Sequence, residues 1–242
     1  MKNLFTGVLS FLFLTTLFSI NLFSQTKRET IKGNGDITTR TYSVSGFSKI
    51  DLGGAFKVTL QQGSNEEMKV EMDENLQQYV RHEVRDGKLK VYMDKDFSIS
   101  SNVMNLLITY KNISALSLSG ATTLKSNSVI NSDRLKLDMS GASGINAEII
   151  ANELDVDLSG ASKIKLKGKA SKIVLNGSGA SLFDAFELAA DKVSLDLSGV
   201  SSIKVNVKDE LNIDASGQTS VTYEGKPVIT KNLSGFSSVR RR

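Results

Sequence analysis

The sequence predicts an all-β fold, a right-handed parallel β-helix or β-solenoid of ~19-residue coils with an N-terminal β-rich capping region. Three observations predict it. The first is a Ser-Gly pair at Ser119-Gly120, Ser140-Gly141, Ser159-Gly160, Ser178-Gly179, Ser198-Gly199, Ser216-Gly217 and Ser234-Gly235, with spacings of 21, 19, 19, 20, 18 and 18 residues. Self-similarity at a short period marks stacked coils, each too small to fold alone and stable only against its neighbours. The second is alternation. Before each pair, apolar and polar residues alternate with the period of a half-buried strand, as in Leu154-Asp155-Val156-Asp157-Leu158. The third is alignment. Leu137, Val156, Leu175, Leu195 and Ile213 fall in one column, and Ile145, Ile164, Phe183, Ile203 and Val221 in another beyond the turn. A helix would need apolar residues three and four apart. An antiparallel β-sandwich or meander with evenly spaced turns is the alternative, and the regular columns argue against it.

The elements follow in order. Residues 1–24 read as a secretory signal peptide: Lys2 supplies the positive start, Leu4 to Phe23 is mostly apolar, and cleavage after Ser24 leaves Gln25 first. A transmembrane anchor is the competing interpretation of an apolar stretch of that length, and the polar Thr15, Thr16 and Ser19 within it favour cleavage. Residues 25–40 form a polar leader arm with a bend at Gly33-Asn34-Gly35. Residues 41–112 form the N-terminal β-rich cap. Val44-Ser45-Gly46-Phe47-Ser48 echoes the repeat once, Phe56 to Leu60 and Met68 to Met72 alternate as strands, and Asp73 caps a short helical turn through Tyr79. Val80 to Val84 and Leu89 to Met93 pair across Asp86-Gly87, a strong hairpin signal. Such a cap protects the first coil, because an uncovered sheet edge invites aggregation. Residues 113–242 carry the solenoid repeats, a rod of roughly 34 Å at ~4.8 Å per strand. Each Ser-Gly unit is a corner, where glycine takes positive φ without steric cost and serine bonds locally to the backbone. The one proline, Pro227, fits a chain of paired strands.

Composition removes several chemistries. The sequence has no cysteine, so disulfides, thiolate metal sites, a cysteine nucleophile and a lipoprotein anchor are excluded. An exported chain without cysteine is more typical of bacteria than of small secreted animal domains. The formal net charge is +4, with acidic residues interspersed among Lys163, Lys165, Lys167, Lys169 and Lys172 and with Arg240-Arg241-Arg242 at the end. Those lysines read as a solvated face rather than a nucleic-acid or acidic-polymer site. His82, the single histidine, lies in phase with Val80 and Val84 and reads as a packed, hydrogen-bonded imidazole. Asn176-Gly177-Ser178-Gly179 is a coil corner, not a nucleophile elbow.

One polar column stands out, two residues before each Ser-Gly serine: Ser117, Asp138, Asp157, Asn176, Asp196, Asp214 and Asn232. By alternation it points outward. Carboxylates stacked at ~4.8 Å repel by about 0.9 kcal/mol even at the dielectric of water. A cation, a lysine, a raised pKa or splaying into solvent must relieve that. Asp138, Asp157, Asn176, Asp196, Asp214 and Asn232 are therefore the candidate ligand-binding residues, a ladder for sugar hydroxyls or calcium. A plain solvated face is the simpler alternative. No catalytic residue, metal site or cofactor is assigned.

Gly46-Phe47-Ser48-Lys49-Ile50, Gly87-Lys88-Leu89-Lys90-Val91 and above all the repeated Leu-Ser-Gly-Ala-Ser units resemble the family called putative auto-transporter adhesin, head GIN domain, from about Phe47 to the C-terminus. Gly144-Ile145-Asn146 spells the family's tripeptide. The resemblance implies an exported bacterial β-helical domain and carries no catalytic or ligand residues with it. An autotransporter's membrane β-barrel is not expected here, since the sequence after the last Ser-Gly pair is short. The expected function is a non-enzymatic, exported cell-envelope module for adhesion or surface interaction, in the periplasm, at the cell surface or outside the cell. Its expected partner is a surface polysaccharide or an envelope protein, with no nucleic acid and no stable membrane span after signal cleavage. A carbohydrate-binding or polysaccharide-cleaving β-helix and a structural periplasmic domain assembling edge to edge are the alternatives. Carboxylates spread one per coil, rather than converging in one groove, favour the first.

Overall fold

The structure is a computed structural model that describes residues 28–242; the signal peptide expected over 1–24 lies outside the described residues. The polar segment after it is stranded, as β1 (Glu29–Lys32) and β2 (Ile37–Ser43). Next come β3 (Lys49–Gly54), β4 (Lys57–Gln62), β5 (Glu67–Asp73), a 3-10 turn (Glu74–Tyr79), β6 (Val80–Arg85), β7 (Lys88–Met93), β8 (Phe97–Ser100) and β9 (Met104–Tyr110). The regular coils supply β10 (Ala115–Gly120), β11 (Thr123–Ser126), β12 (Ile130–Met139), β13 (Gly144–Leu158), β14 (Lys163–Gly177), β15 (Leu182–Leu197) and β16 (Ser202–Ala215). β17 (Ser220–Glu224), β18 (Val228–Leu233) and β19 (Ser238–Arg241) complete the stack.

These strands make a β-solenoid of about 7 turns at ~19-residue spacing. Each of β13 to β16 leaves one corner and enters the next, pairing in parallel with the coils above and below. Leu137, Val156, Leu175, Leu195 and Ile213 are in register and buried, as are Ile145, Ile164, Phe183, Ile203 and Val221. Parallel pairing sets identical positions above one another, so a one-residue slip would turn every apolar side chain outward.

The corners are glycine-dependent as expected. Gly120, Gly141, Gly160, Gly179, Gly199, Gly217 and Gly235 all have φ between +68° and +98°. The strand ladder continues through them: the Ala161 amide donates to the Gly141 carbonyl at 2.8 Å, and the Ala180 amide to Gly160 at 2.8 Å. Behind each of the first six pairs a small hydroxyl is buried, at Thr122, Ser143, Ser162, Ser181, Ser201 and Thr219. Ser143 and Ser162 donate to the carbonyls of Ser140 and Ser159 at 3.0 and 3.2 Å.

The parallel stack begins earlier than the regular repeat. β3 and β4 form a coil in register with β10 and β11. β7 and β9 pair with the opposite edges of β3 and β4, so a later part of the chain lies outside an earlier one. The chain then recrosses through residues 111–114 to start β10, where the Ser114 amide donates to the Ser48 carbonyl at 2.7 Å. Antiparallel strands close this end, with β6 on β7, β5 on β9, and β2 on β5. At the other end β18 pairs with β16 and β19 with β17. Lys231, Arg240 and Arg241 stand exposed on those last strands, the charge that discourages edge-to-edge pairing.

Two local expectations change. Asp73 precedes the 3-10 turn but makes no side-chain cap to it. Its buried carboxylate instead accepts from the Gly35 amide at 2.8 Å and from the Ser101 hydroxyl, tying the N-terminal segment to the cap. His82 is exposed rather than packed, its ring 4.5 Å from that of Tyr42. Among the described residues β6 has register partners only on β7, which leaves the imidazole on the less covered side of the hairpin.

Candidate functional site

The six candidate residues do form one column. The register runs Asp138, Asp157, Asn176, Asp196, Asp214, Asn232, one residue per coil on the outer face of the strands entering each corner. Two acids alternate with one amide, so like charges meet only in pairs. Each amide also quiets one acid: Asn176 Nδ2 donates to Asp157 at 2.9 Å, and Asn232 Nδ2 to Asp214 at 3.3 Å. Lys136 adds an ion pair to Asp157 at 2.9 Å. The Asn176 hydrogen bond, then that of Lys136, holds the Asp157 carboxyl below its ordinary value, and Asp157 in turn raises Lys136. Asp138 and Asp196 have no ion pair or side-chain hydrogen bond among the described residues.

Asp138, Asp157, Asn176 and Asp196 line one shallow hollow of about 400 Å³, with Ser159, Ser178 and Ser198 on its corner side. Asp214 and Asn232 continue the column beyond it. A row of hydroxyls thus faces a row of carboxylates and one amide, groups that match the donors and acceptors of a polyhydroxyl ligand. The rows beside the column are neutralised. Arg134 pairs with Asp155 at 2.6 Å, Lys172 with Glu153 at 3.0 Å and Lys192 with Glu210 at 3.3 Å. Pairing of this kind on exposed side chains stabilises little but cancels charge along the face.

Among the described residues, no group of three or more His, Cys, Asp or Glu side chains is gathered to hold a metal ion. Calcium needs 6–8 oxygen ligands, and a flat ladder presents its carboxylates one per coil. His82 lies on the cap, in a different strand column from any of the six.

A second concavity, absent from the sequence-based expectations, lies on the strands leaving the corners near the capped end. It measures about 780 Å³. Two outward rows line it across six strands: Thr39, Glu71, Asn105, Lys57 and Thr123, then Lys69, Leu107, Thr59, Lys125 and Asn146. Alternation in Phe56-Lys57-Val58-Thr59-Leu60 marks Lys57 and Thr59 as outward, so part of the signal is present. The strands that bring these residues together occur in the order β2, β5, β9, β4, β11, β13, which sequence spacing does not reveal.

A family model described as "Putative auto-transporter adhesin, head GIN domain" matches residues 46–227. The chain belongs to this family.

Several solved structures share the fold of this head GIN domain protein. A putative adhesin from Bacteroides fragilis superposes with a TM-score of 0.82 at 24% identity, covering 88% of this chain and 100% of that one. A protein described as a putative lipid binding protein from Parabacteroides distasonis gives 0.72 at 22% identity over 88% and 100%. A putative adhesin from Parabacteroides merdae gives 0.66 at 21% identity over 88% and 99%. No curated protein matches the chain. The family places this head GIN domain protein among adhesin-like proteins. Among the described residues no helix is long and apolar enough to cross a membrane.

Proposed function

We propose that this head GIN domain protein is a non-enzymatic module exported to the cell envelope, where it acts in adhesion or surface interaction. The Asp138 to Asn232 column is its contact face for a polysaccharide. The observation that carries this is repetition. The polar groups recur once per coil in register, as a contact surface for a repeating polymer requires, whereas catalysis requires an acid and a base at one point. The apolar signal-like segment at 4–23 supports export.

The adhesin-like family favours surface interaction over cleavage of the polymer. The interior also favours it over enclosure of a lipid, because the two apolar columns fill the coil with buried side chains. Lipid binding, named for one relative, would have to use the outside.

The test is a glycan array run with and without calcium on the wild type and on a variant with Asp138, Asp157, Asp196 and Asp214 all changed to Asn. Loss of glycan binding at an unchanged melting temperature is expected. Glycan binding retained by the variant would remove the column from the function.

A further inference from the structure

From the 780 Å³ groove we infer a second binding site, separate from the aspartate column, for an acidic polysaccharide whose carboxylates are spaced along a sugar chain. The starting point is the pairing of lysines on the face where the groove lies. Away from the groove three of them are matched, Lys165 to Glu187 at 3.0 Å, Lys167 to Glu148 at 2.8 Å, and Lys204 to Asp184 at 3.3 Å, and at its edge Lys69 pairs with Glu67 at 2.8 Å. Within the groove Lys57 and Lys125 are exposed and have no carboxylate partner among the described residues. Thr59 pairs with Lys125 across β4 and β11, and Lys57 with Thr123, so the two lysines are diagonal neighbours on adjacent strands. Two ammonium groups side by side in a concavity repel each other and concentrate a positive field, and an anion seated between them relieves both.

The rest of the groove selects among anions. Leu107 is partly exposed between Lys69 and Thr59 in its row, an apolar platform for the face of a sugar ring. Asn105 donates through Nδ2 to Glu71 at 2.7 Å, which fixes a carboxylate as a hydrogen-bond acceptor at one wall. Glu71 suits sugar hydroxyls and opposes a backbone with a charge on every unit. Among the described residues no aromatic side chain lines the groove, so bases would find nothing there to stack on. A uronic-acid polymer offers both what the lysines want and what Glu71 and Leu107 want. This goes beyond the adhesion proposal and uses none of its residues.

The experiment titrates the exported protein with polygalacturonate, with neutral dextran, with a single-stranded oligonucleotide and with anionic phospholipid vesicles, each at low and at physiological salt. Polygalacturonate is expected to bind most tightly of the four and to weaken as salt rises. A K57Q/K125Q variant is expected to lose at least tenfold in that affinity at an unchanged melting temperature. The variant lacking the four aspartates is expected to bind polygalacturonate as the wild type does, so failure of the column and failure of the groove are distinguishable. Affinity of K57Q/K125Q within twofold of wild type would overturn the proposal. So would oligonucleotide or vesicle binding as tight as that of polygalacturonate.

Discussion

Gly160 sits one coil above Gly141, and a Cβ placed on Gly160 would lie 2.7 Å from the Gly141 carbonyl oxygen. The corner therefore needs glycine twice over, once for its φ of +78° and once for the backbone stacked against it. Gly46 has a φ of +76° in a similar Ser-Gly setting, yet nothing approaches its would-be Cβ within 4 Å. The first prediction follows from this contrast. Gly46→Ala should cost only left-handed strain, about 1–2 kcal/mol. Gly160→Ala should cost clearly more, because the backbone below must also shift. Equal urea midpoints for the two variants would show that stacking contributes nothing.

Inward columns should carry stability. Leu195 is 3% exposed between Leu175 and Ile213. Leu195→Ala is expected to destabilise by roughly 2–5 kcal/mol. Lys136, outward and paired only with Asp157, should cost at most about 1 kcal/mol as Lys136→Ala. Denaturant titration of both variants checks the register, and a loss at Lys136 to match that at Leu195 would contradict it.

The hydroxyls behind the corners should not be equivalent. Ser162 donates to the Ser159 carbonyl at 3.2 Å, whereas the buried Oγ of Ser181 has no partner. Ser162→Ala should lose about 0.5–1.5 kcal/mol, the net worth of one such bond. Ser181→Ala should be neutral or stabilising, since it removes a polar atom left without a bond. Thermal melts of the two single variants would refute this if Ser181→Ala proved the worse.

Asp73 should make the N-terminal segment sensitive to acid. The Ser101 hydroxyl, then the Gly35 amide, hold its carboxyl below the usual value. A depressed folded pKa means that its stabilisation is fully present above the unfolded value of about 3.9 and is lost as pH falls through the folded one. Asp73→Asn should therefore be less stable than wild type at pH 7, with the gap narrowing below about pH 4. Limited proteolysis near Gly33 should show the variant's segment released at neutral pH. A gap independent of pH would rule out the charge as the cause.

Much of this was legible in the sequence because the coils repeat. Alternation around Leu137, Val156 and Leu175 placed the core, and the same alternation placed Asp138, Asp157 and Asn176 outside. The cap was less legible, for a physical reason. Its strands pair with partners distant in the chain, β9 against both β4 and β5, and no period marks such pairings. His82 illustrates the limit: its phase with Val80 was visible, but its exposure beside Tyr42 was not. The groove was hidden in the same way. Lys57 and Lys125 are 68 positions apart in the sequence and become diagonal neighbours only because β4 and β11 lie side by side.

The distance between corners varies from 18 to 21 residues, yet the corners themselves stay aligned. The slack is taken up on the opposite side, where register shifts occur between Lys165 and Lys167 and between Ala185 and Ala189. In evolutionary terms the heritable unit is the whole coil. Tandem duplication of a stretch such as Ser143 to Ala161 would lengthen the rod by one strand spacing and reproduce every vertical contact. In these coils the differences in length fall at the bulging side and leave the glycine stack in register. Rod length can change by whole coils without disturbing the corner, which is held fixed by the copies of itself above and below.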